Sequence, residues 1–185
     1  MLNMFYPYEY ADSVFSVDYG KLYDNGYRGL IFDIDNTLVH HGDDSTQEID
    51  AFFKMIQSVG FKTLILSNNN EARVKRFLKN IDSLYICDAD KPKPANYLKA
   101  AEMMGINKDE TVCVGDQLFT DIFGANRSGM ASILVKFIRA EGETKIGKKR
   151  KLENVVLRFY SKNRKKQHRL GDILKKEAST ESAVQ

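Results

Sequence analysis

The sequence predicts an α/β fold, a Rossmann-like three-layer sandwich in which helices cover both faces of a parallel sheet. Two observations favour this fold. Short apolar runs with strand character alternate with longer segments whose apolar residues recur at i, i+3 and i+4 spacing. Glycine follows three of the helical segments, at Gly60, Gly105 and Gly129, where a left-handed residue commonly ends a helix.

The elements follow in regular order along the chain. The first strand lies in RGLIFDID (28–35), a continuous apolar run typical of strands buried on both faces of a sheet. The first helix is predicted at Gln47–Val59, because Phe52, Met55 and Ile56 recur at helical spacing. Later strands lie in FKTLILSN (61–68), SLYICDA (83–89), ETVCVGD (110–116) and ASILVKF (131–137). Later helices are predicted at 70–79, 94–104 and 120–128.

Charge is distributed unevenly along the 185 residues, although the net charge is only +3. Residues 145–176 contain 13 of the 28 Lys and Arg residues and only two acids, so their net charge is about +11 and the remainder is near −8. We therefore expect an acidic body at 1–140, which includes an N-terminal lead segment. A basic tail at 141–185 is expected to be partly helical, with a disordered end.

The sequence also carries indications of the cellular compartment. The N-terminus lacks the basic start and long apolar run of a signal peptide, and no stretch approaches the ~18 apolar residues of a membrane span. Cys87 and Cys113 lack the spacing of a zinc site or a redox pair, which predicts reduced core thiols. We expect a cytoplasmic protein that can associate peripherally with the inner face of a membrane.

Polar residues cluster at the carboxyl ends of four predicted strands. DID (33–35) ends the first strand, SNNN (67–70) the second and GDQLFTD (115–121) the fourth, and DADKPKP (88–94) follows the third. Ligands of open parallel sheets bind beyond the carboxyl ends of the strands. Four clusters at one edge indicate an active site.

The residue types at this edge suit chemistry on an anion. Asp33 and Asp35 lie two residues apart, on the same side of a strand, so one can attack as a nucleophile while the other transfers protons. Ser67, Asn68 and the backbone amides that open the next helix can hold an anion. Lys91 adds a positive charge.

Asp116 and Asp121 bring the number of carboxylates at this edge to four, which one lysine cannot balance. Two unit charges about 4 Å apart repel by ~4 kcal/mol at an effective dielectric near 20. Such a cluster requires a hard divalent cation with oxygen ligands, and Mg²⁺ is the natural candidate. Carboxylate, cation, anion cradle and lysine together suit phosphoryl transfer through an aspartyl-phosphate.

DIDNTLV, SNN, KPKP and GDQLFTD, in this order, resemble the four motifs of the haloacid dehalogenase-like phosphatases, and the resemblance covers about residues 29–135. It implies that Asp33 is the nucleophile and Asp35 the general acid/base. It also implies that Ser67 binds the phosphate and that Lys91 stabilises the phosphoryl oxygens. A second lysine, Lys93, lies beside Lys91, so the motif alone leaves two candidates for that role.

The resemblance also implies the other ligands of the site. The expected Mg²⁺ ligands are Asp33, the backbone carbonyl of Asp35, Asp116 and, in support, Asp121. Thr37 matches the hydroxyl position of the first motif, which braces its loop, and is an expected substrate contact. From their residue types and positions, Asn68 and Arg127 are the other expected contacts, although Arg127 can equally form a surface ion pair. Within the superfamily, DNTLV (35–39), SNNNEARVK (67–75) and GDQLFTDIFGANRSG (115–129) resemble the YqeG-like proteins, which are related to mitochondrial phosphatidylglycerophosphate phosphatases.

The motifs stand too close together for a large cap domain. Neither the 32 residue steps from Asp35 to Ser67 nor the 24 from Ser67 to Lys91 leave room for one. We expect an open site, which requires a large substrate or one presented by a surface to exclude water.

The basic tail leaves three interpretations open. Leu152, Val155, Val156, Phe159 and Tyr160 recur at helical spacing among basic residues. This pattern is typical of a helix that binds an anionic membrane surface, of a nucleic-acid patch, or of a solvated tail whose apolar stripe docks on the body.

Together these patterns predict an Mg²⁺-dependent phosphomonoester hydrolase that acts on a lipid phosphate at an anionic membrane surface. The family resemblance implies phosphatidylglycerophosphate as that lipid. Two alternatives stay open. One is a phosphatase of nucleic-acid ends or phosphoproteins, and the other is a non-catalytic RNA- or ribosome-associated protein that uses the basic tail.

Overall fold

The computed structural model describes residues 2–139 and 148–175. The predicted boundary between residues 140 and 141, and the predicted disordered end at 176–185, therefore lie outside the described residues. The strands are β1 Glu9–Ala11, β2 Gly29–Phe32, β3 Lys62–Leu66, β4 Leu84–Ile86, β5 Thr111–Gly115 and β6 Ala131–Val135. The α-helices are α1 Tyr19–Asp24, α2 Gln47–Val59, α3 Glu71–Phe77, α4 Pro94–Met104, α5 Phe123–Arg127 and α6 Lys148–Lys162.

Within the described residues the strands form one parallel sheet in the order β1-β6-β5-β2-β3-β4. The predicted α/β class and parallel sheet are confirmed, and the five predicted strands are β2 to β6. The sequence reading missed β1, a three-residue edge strand that pairs with β6, and the short helix α1. Both are too short to show a period.

Alternate residues of each strand face opposite layers. Leu30 and Phe32 of β2 pack in one buried cluster with Phe52 and Phe53 of α2. Ile31 packs in the other cluster with α4. Full burial of one such side chain contributes about 1.5–3 kcal/mol, so both helical layers are held against the sheet.

The predicted helix α2 has a capping side chain at its start and a left-handed glycine at its end. Thr46 Oγ1 accepts a hydrogen bond from Ile49 N (3.2 Å) at the start of α2, and Gly60 ends this helix with φ 116°. The predicted helix at 120–128 has a different form. A π-helical turn at Leu118–Ile122 precedes α5, which matters for the site.

The basic segment that follows the sheet packs on the body. Val156 and Tyr160 of α6 are buried in a third cluster with Tyr6, Leu118 and Leu134. Among the described residues, no helix has the length and apolar character needed to cross a bilayer.

The chain after α6 is joined to the body as well. Leu170 and Ile173 belong to the main core, and Asp18 N donates to Ile173 O (2.7 Å). Arg169 N donates to Tyr8 O (3.0 Å). Residues 148–175 therefore stabilise the fold, and removing them would expose core side chains.

Candidate active site

The loop after β2 returns sharply towards the sheet. Asp33 N donates to Val114 O (3.0 Å), which continues the ladder with β5, and Asn36 then adopts a left-handed conformation with φ 64°. Asparagine tolerates this conformation better than most residues. The turn places Thr37 where its Oγ1 donates to Asp116 Oδ1 at 3.2 Å and lies 3.5 Å from Asp33 Oδ2.

Three carboxylates converge beyond the ends of β2 and β5. Carboxylate oxygens of Asp33, Asp116 and Asp121 all lie within 4.8 Å of one another. Asp116 follows β5 directly, and the π-helical turn carries Asp121. A Cβ at Gly115 would lie 2.4 Å from Asp121 Cγ, so only glycine allows this close approach.

Lys91 is the cation at the centre of this cluster. Its Nζ donates to Asp33 Oδ1 (2.6 Å) and to Asp121 Oδ1 (2.7 Å), and its side chain is only 4% exposed. Asn68 Oδ1 accepts from Lys91 N (2.9 Å) and so fixes the loop that carries the lysine. Lys93, the other candidate, is 70% exposed and pairs with Asp90. The structure thus places Lys91, and not Lys93, at the predicted site.

Burial governs the protonation of the cluster. It raises the pKa of Asp33 to about 6 against the opposing effect of Lys91. It raises the pKa of Asp116 to about 7, and Asp121 and Asp33 add to the increase. Burial alone would lower the pKa of Lys91, but the adjacent carboxylates outweigh it and raise the value, so the lysine stays charged. The cluster is short of positive charge when all three acids are ionised.

Asp35 lies beside this cluster with its carboxylate held by other partners. It accepts from Gly42 N (3.0 Å), Asn69 Nδ2 (2.6 Å) and Arg73 Nη2 (3.0 Å). Burial alone would raise the pKa of Asp35, but these hydrogen bonds outweigh it and lower the value. Asp35 is therefore ionised near neutral pH in this state.

Ser67 and Arg127, two further predicted site residues, lie in different surroundings. Ser67 is fully buried, and its Oγ accepts from Asn69 N (3.2 Å) and Asn69 Nδ2 (3.0 Å), which links it to Asp35. Arg127 is exposed on α5, where its guanidinium lies 3.5 Å from Pro92 O and 5.3 Å from the Phe123 ring centroid. The structure brings Ser67 into the site and leaves Arg127 at its periphery.

Sequence reasoning missed Arg150, which reaches the cluster from α6. Its guanidinium pairs with the Asp116 carboxylate, donates to the Asp116 carbonyl, and donates to Glu153 Oε2 at 2.9 Å. Glu153 is itself buried and accepts from Leu118 N (2.9 Å). Arg150 is one of many basic residues in its segment, and no local signal marks it, because its partner lies 34 residues away.

Arg73 and Asn69 were also missed as site residues. Both lie in the SNNNEARVK segment, which begins a helix. Asparagine and arginine are ordinary residues there, so the sequence gives no sign that they contact Asp35. Their contact with Asp35 depends on how α3 packs against the loop after β2. Only the tertiary structure reveals it.

A pocket of about 520 Å³ opens beside Asp116. Its walls are the inner face of α6 and the chain that leaves β6. The lining includes Asn36, Asp116, Lys136, Phe137, Arg139, Arg150 and Leu157.

Comparison with known proteins identifies the family. The profile of the haloacid dehalogenase-like hydrolases matches residues 41–129. The chain is 37% identical over 137 residues to "Probable phosphatase YqeG" of Bacillus subtilis (strain 168), a match that spans 73% of this chain and 80% of the relative. The chain belongs to the haloacid dehalogenase-like hydrolases.

Two further likenesses concern a short sequence match and the fold. The chain is 43% identical over 47 residues to a glyceraldehyde 3-phosphate phosphatase of Methanopyrus kandleri, 25% of this chain and 20% of that protein. The fold resembles an uncharacterized protein from Listeria monocytogenes serotype 4b with a TM-score of 0.51 and 19% identity, covering 74% of this chain and 99% of that one. The predicted family and enzyme class are confirmed: the chain is a phosphatase of the haloacid dehalogenase-like type.

Proposed function

We propose that this hydrolase cleaves phosphate monoesters through a phosphorylated Asp33, that Mg²⁺ is its cofactor, and that its substrate is a lipid phosphate such as phosphatidylglycerophosphate. The observation that carries the proposal is the buried cluster itself. Lys91 bridges Asp33 and Asp121 at 2.6 and 2.7 Å, and Asp116 completes a set of carboxylates that needs further positive charge.

In the first half of the reaction, a carboxylate oxygen of Asp33 attacks phosphorus and the ester oxygen leaves with its electron pair. Lys91 Nζ already touches Asp33 and so lies where charge on the phosphoryl oxygens can be stabilised. Ser67 and the amides at the start of α3 bind the same oxygens. Asp35 protonates the leaving oxygen in this scheme. Because Asp35 is ionised in the unliganded protein, it first takes up the proton of the incoming phosphate monoester monoanion and then passes it to the leaving oxygen.

In the second half, water attacks phosphorus of the phosphorylated Asp33, and the carboxylate leaves. Asp35 accepts the proton from this water. Its lowered pKa suits this role, because the carboxylate is ionised and ready to accept a proton near neutral pH. Asn69 and Arg73 hold it in place.

The donor set fits Mg²⁺. Asp33, Asp116 and Asp121 offer carboxylate oxygens within 4.8 Å of one another, which are the ligands a hard divalent cation prefers. The raised pKa values of Asp33 and Asp116 agree with a site that lacks part of its positive charge. When bound, Mg²⁺ supplies charge that neutralises the phosphoryl oxygens. The backbone carbonyl of Asp35 completes the proposed ligands.

A lipid surface is favoured by the outer face of α6. Leu152, Val155 and Phe159 are 56%, 45% and 55% exposed, although Val156 and Tyr160 of the same helix are buried. Exposed basic residues lie among them, at Lys149, Lys151 and Lys162. An apolar stripe flanked by lysines complements an anionic bilayer, where each basic residue near the surface contributes about 1 kcal/mol.

Phosphate release from a panel of substrates tests the activity. The panel contains a lipid phosphate in phosphatidylglycerol vesicles, a 5′-phosphorylated oligonucleotide, a phosphopeptide and p-nitrophenyl phosphate, each with Mg²⁺ and with chelator. We expect the fastest release from the lipid, and only with Mg²⁺. Preference for the oligonucleotide or the phosphopeptide would replace the lipid assignment, and release that persists in chelator would remove Mg²⁺.

Point substitutions test the surface better than truncation, since residues 148–175 contribute to the core. Leu152→Gln with Phe159→Gln is expected to weaken co-sedimentation with anionic vesicles and lipid hydrolysis, and to leave p-nitrophenyl phosphate hydrolysis unchanged. Leu98→Gln with Met103→Gln on α4 is the matched control, because these side chains are 43% and 41% exposed. Equal sedimentation of both double variants and wild type would contradict the membrane role of α6.

A further inference from the structure

The pocket beside Asp116 is lined by both apolar and charged side chains. Apolar side chains form much of its wall, among them Leu118, Leu134, Phe137 and Leu157. Three cationic side chains, Lys136, Arg139 and Arg150, and two acidic ones, Asp116 and Glu153, line the same space. A volume of about 520 Å³ falls within the usual range of small-molecule sites.

The pocket adjoins the carboxylate cluster at Asp116. Asn36 and Asp116 line it, and Asp116 belongs to the carboxylate cluster. A phosphoryl group held by Asp33 and Lys91 would therefore have its ester oxygen and leaving group beside this space. On the side of α6, the residues that line the pocket are Arg150, Glu153, Asn154 and Leu157.

The three cationic side chains of the pocket differ in the residues with which they already pair. Lys136 is largely exposed and pairs with Asp12. Arg150 pairs with Asp116 and Glu153 and stacks 4.6 Å from the Phe137 ring centroid, so it is fixed at the inner end. Arg139 is exposed at the described end of the chain that leaves β6. Its planar guanidinium suits bidentate binding of a phosphate or carboxylate.

We propose that this pocket binds the leaving group of the substrate and that Arg139, supported by Arg150, holds a second anionic group on it. The inference rests on the proposed function and deepens it. The substrate class is a phosphate monoester of a small polyol that carries a further phosphodiester or carboxylate. A phosphodiester in a lipid headgroup and a carboxylate in a water-soluble metabolite share this chemistry.

Two measurements test the inference. The first compares kcat/KM for three soluble monoesters: glycerol 3-phosphate, 3-phosphoglycerate and glycerophosphoglycerol phosphate, which add no second anion, a carboxylate and a phosphodiester respectively. We expect wild type to favour one of the two-anion substrates by about tenfold or more. The preferred substrate shows whether the second anionic group is a carboxylate or a phosphodiester.

Arg139→Gln is expected to lower kcat/KM for that substrate by about tenfold, mainly through KM, and to change the value for glycerol 3-phosphate by less than about twofold. Arg139→Lys keeps the charge and is expected to restore part of the loss. Arg164→Gln, exposed after α6 and outside the pocket lining, is the matched control. A loss of equal size on all three substrates, or no loss, would overturn the inference.

The second measurement does not depend on turnover. Glycerophosphoglycerol and glycerate, the alcohols that leave from the two-anion substrates, are titrated into wild type and Arg139→Gln by calorimetry. We expect one alcohol to bind wild type and to lose about tenfold in affinity in the variant. Equal binding to both proteins, or none, overturns the pocket assignment, whereas absence of phosphate release from every monoester counts against the proposed function alone.

Discussion

Replacement of Lys91 is the perturbation whose effect the structure specifies best. The side chain is 4% exposed and donates to Asp33 and Asp121 at 2.6 and 2.7 Å. Lys91→Met keeps the length of the side chain and removes its charge. In the proposed mechanism, the variant therefore loses the stabilisation of the phosphoryl oxygens without opening a large cavity.

The size of the effect follows from two contributions. Loss of one donor to charge that develops in the transition state costs about 3 kcal/mol, which is a roughly 150-fold fall in kcat/KM. Removal of one partner of a buried ion pair costs about 3–5 kcal/mol of folding free energy. The second cost is expected in full only without Mg²⁺, because the cation would neutralise Asp33 and Asp121 in its place.

The assay measures kcat/KM on p-nitrophenyl phosphate and the unfolding midpoint in urea, with Mg²⁺ and with chelator. Lys93→Met is the matched control, since Lys93 is 70% exposed and pairs only with Asp90 among the described residues. We expect it to retain activity within about twofold, as surface ion pairs contribute little. A larger loss for Lys93→Met than for Lys91→Met would refute the assignment of the third motif.

Three other perturbations have defined outcomes. Asp33→Asn should abolish turnover while circular dichroism stays native, and near wild-type kcat would contradict its role as nucleophile. Burial raises the pKa of Asp33 to about 6 and of Asp116 to about 7, so the folded state keeps protons that the unfolded state releases near pH 4. In chelator, the free energy of unfolding measured in urea should therefore decline as pH rises from about 4 to about 7, and it should decline more in wild type than in Asp116→Asn. An equal pH profile in both proteins would contradict the burial argument. Gly115→Ala should displace Asp121, because the added Cβ would lie 2.4 Å from Asp121 Cγ. Calorimetry should then show weaker Mg²⁺ binding. Binding with wild-type affinity would contradict the close packing of Gly115 against Asp121.

The sheet and much of the site could be predicted because their signals are local. Continuous apolar runs such as that before Asp33 identify buried strands. The rule that parallel strands end at one edge then predicts, from the sequence alone, that Asp33, Lys91 and Asp116 lie close together. Strand β1 could not be found in this way, since three residues carry no period. It forms because β6 offers it an edge.

The basic segment shows the limit of the sequence most clearly. Its spacing predicted an amphipathic helix, but the pattern alone could not say which apolar residues face the body. Val156 and Tyr160 are buried while Leu152 and Phe159 are exposed, and this division depends on the surface that Leu134 and its neighbours present. The pairing of Arg150 with Asp116 follows from the same docking and was equally beyond sequence reasoning.

Detection of the covalent intermediate tests the central claim most directly. Asp35→Asn is mixed with p-nitrophenyl phosphate and Mg²⁺, quenched in acid within milliseconds to seconds, and digested for mass spectrometry, with Asp33→Asn as the control. We predict a phosphoryl adduct on the peptide that carries Asp33, larger in Asp35→Asn than in wild type and missing from Asp33→Asn. Turnover with an adduct on another residue, or with the same adduct in Asp33→Asn, would contradict the account.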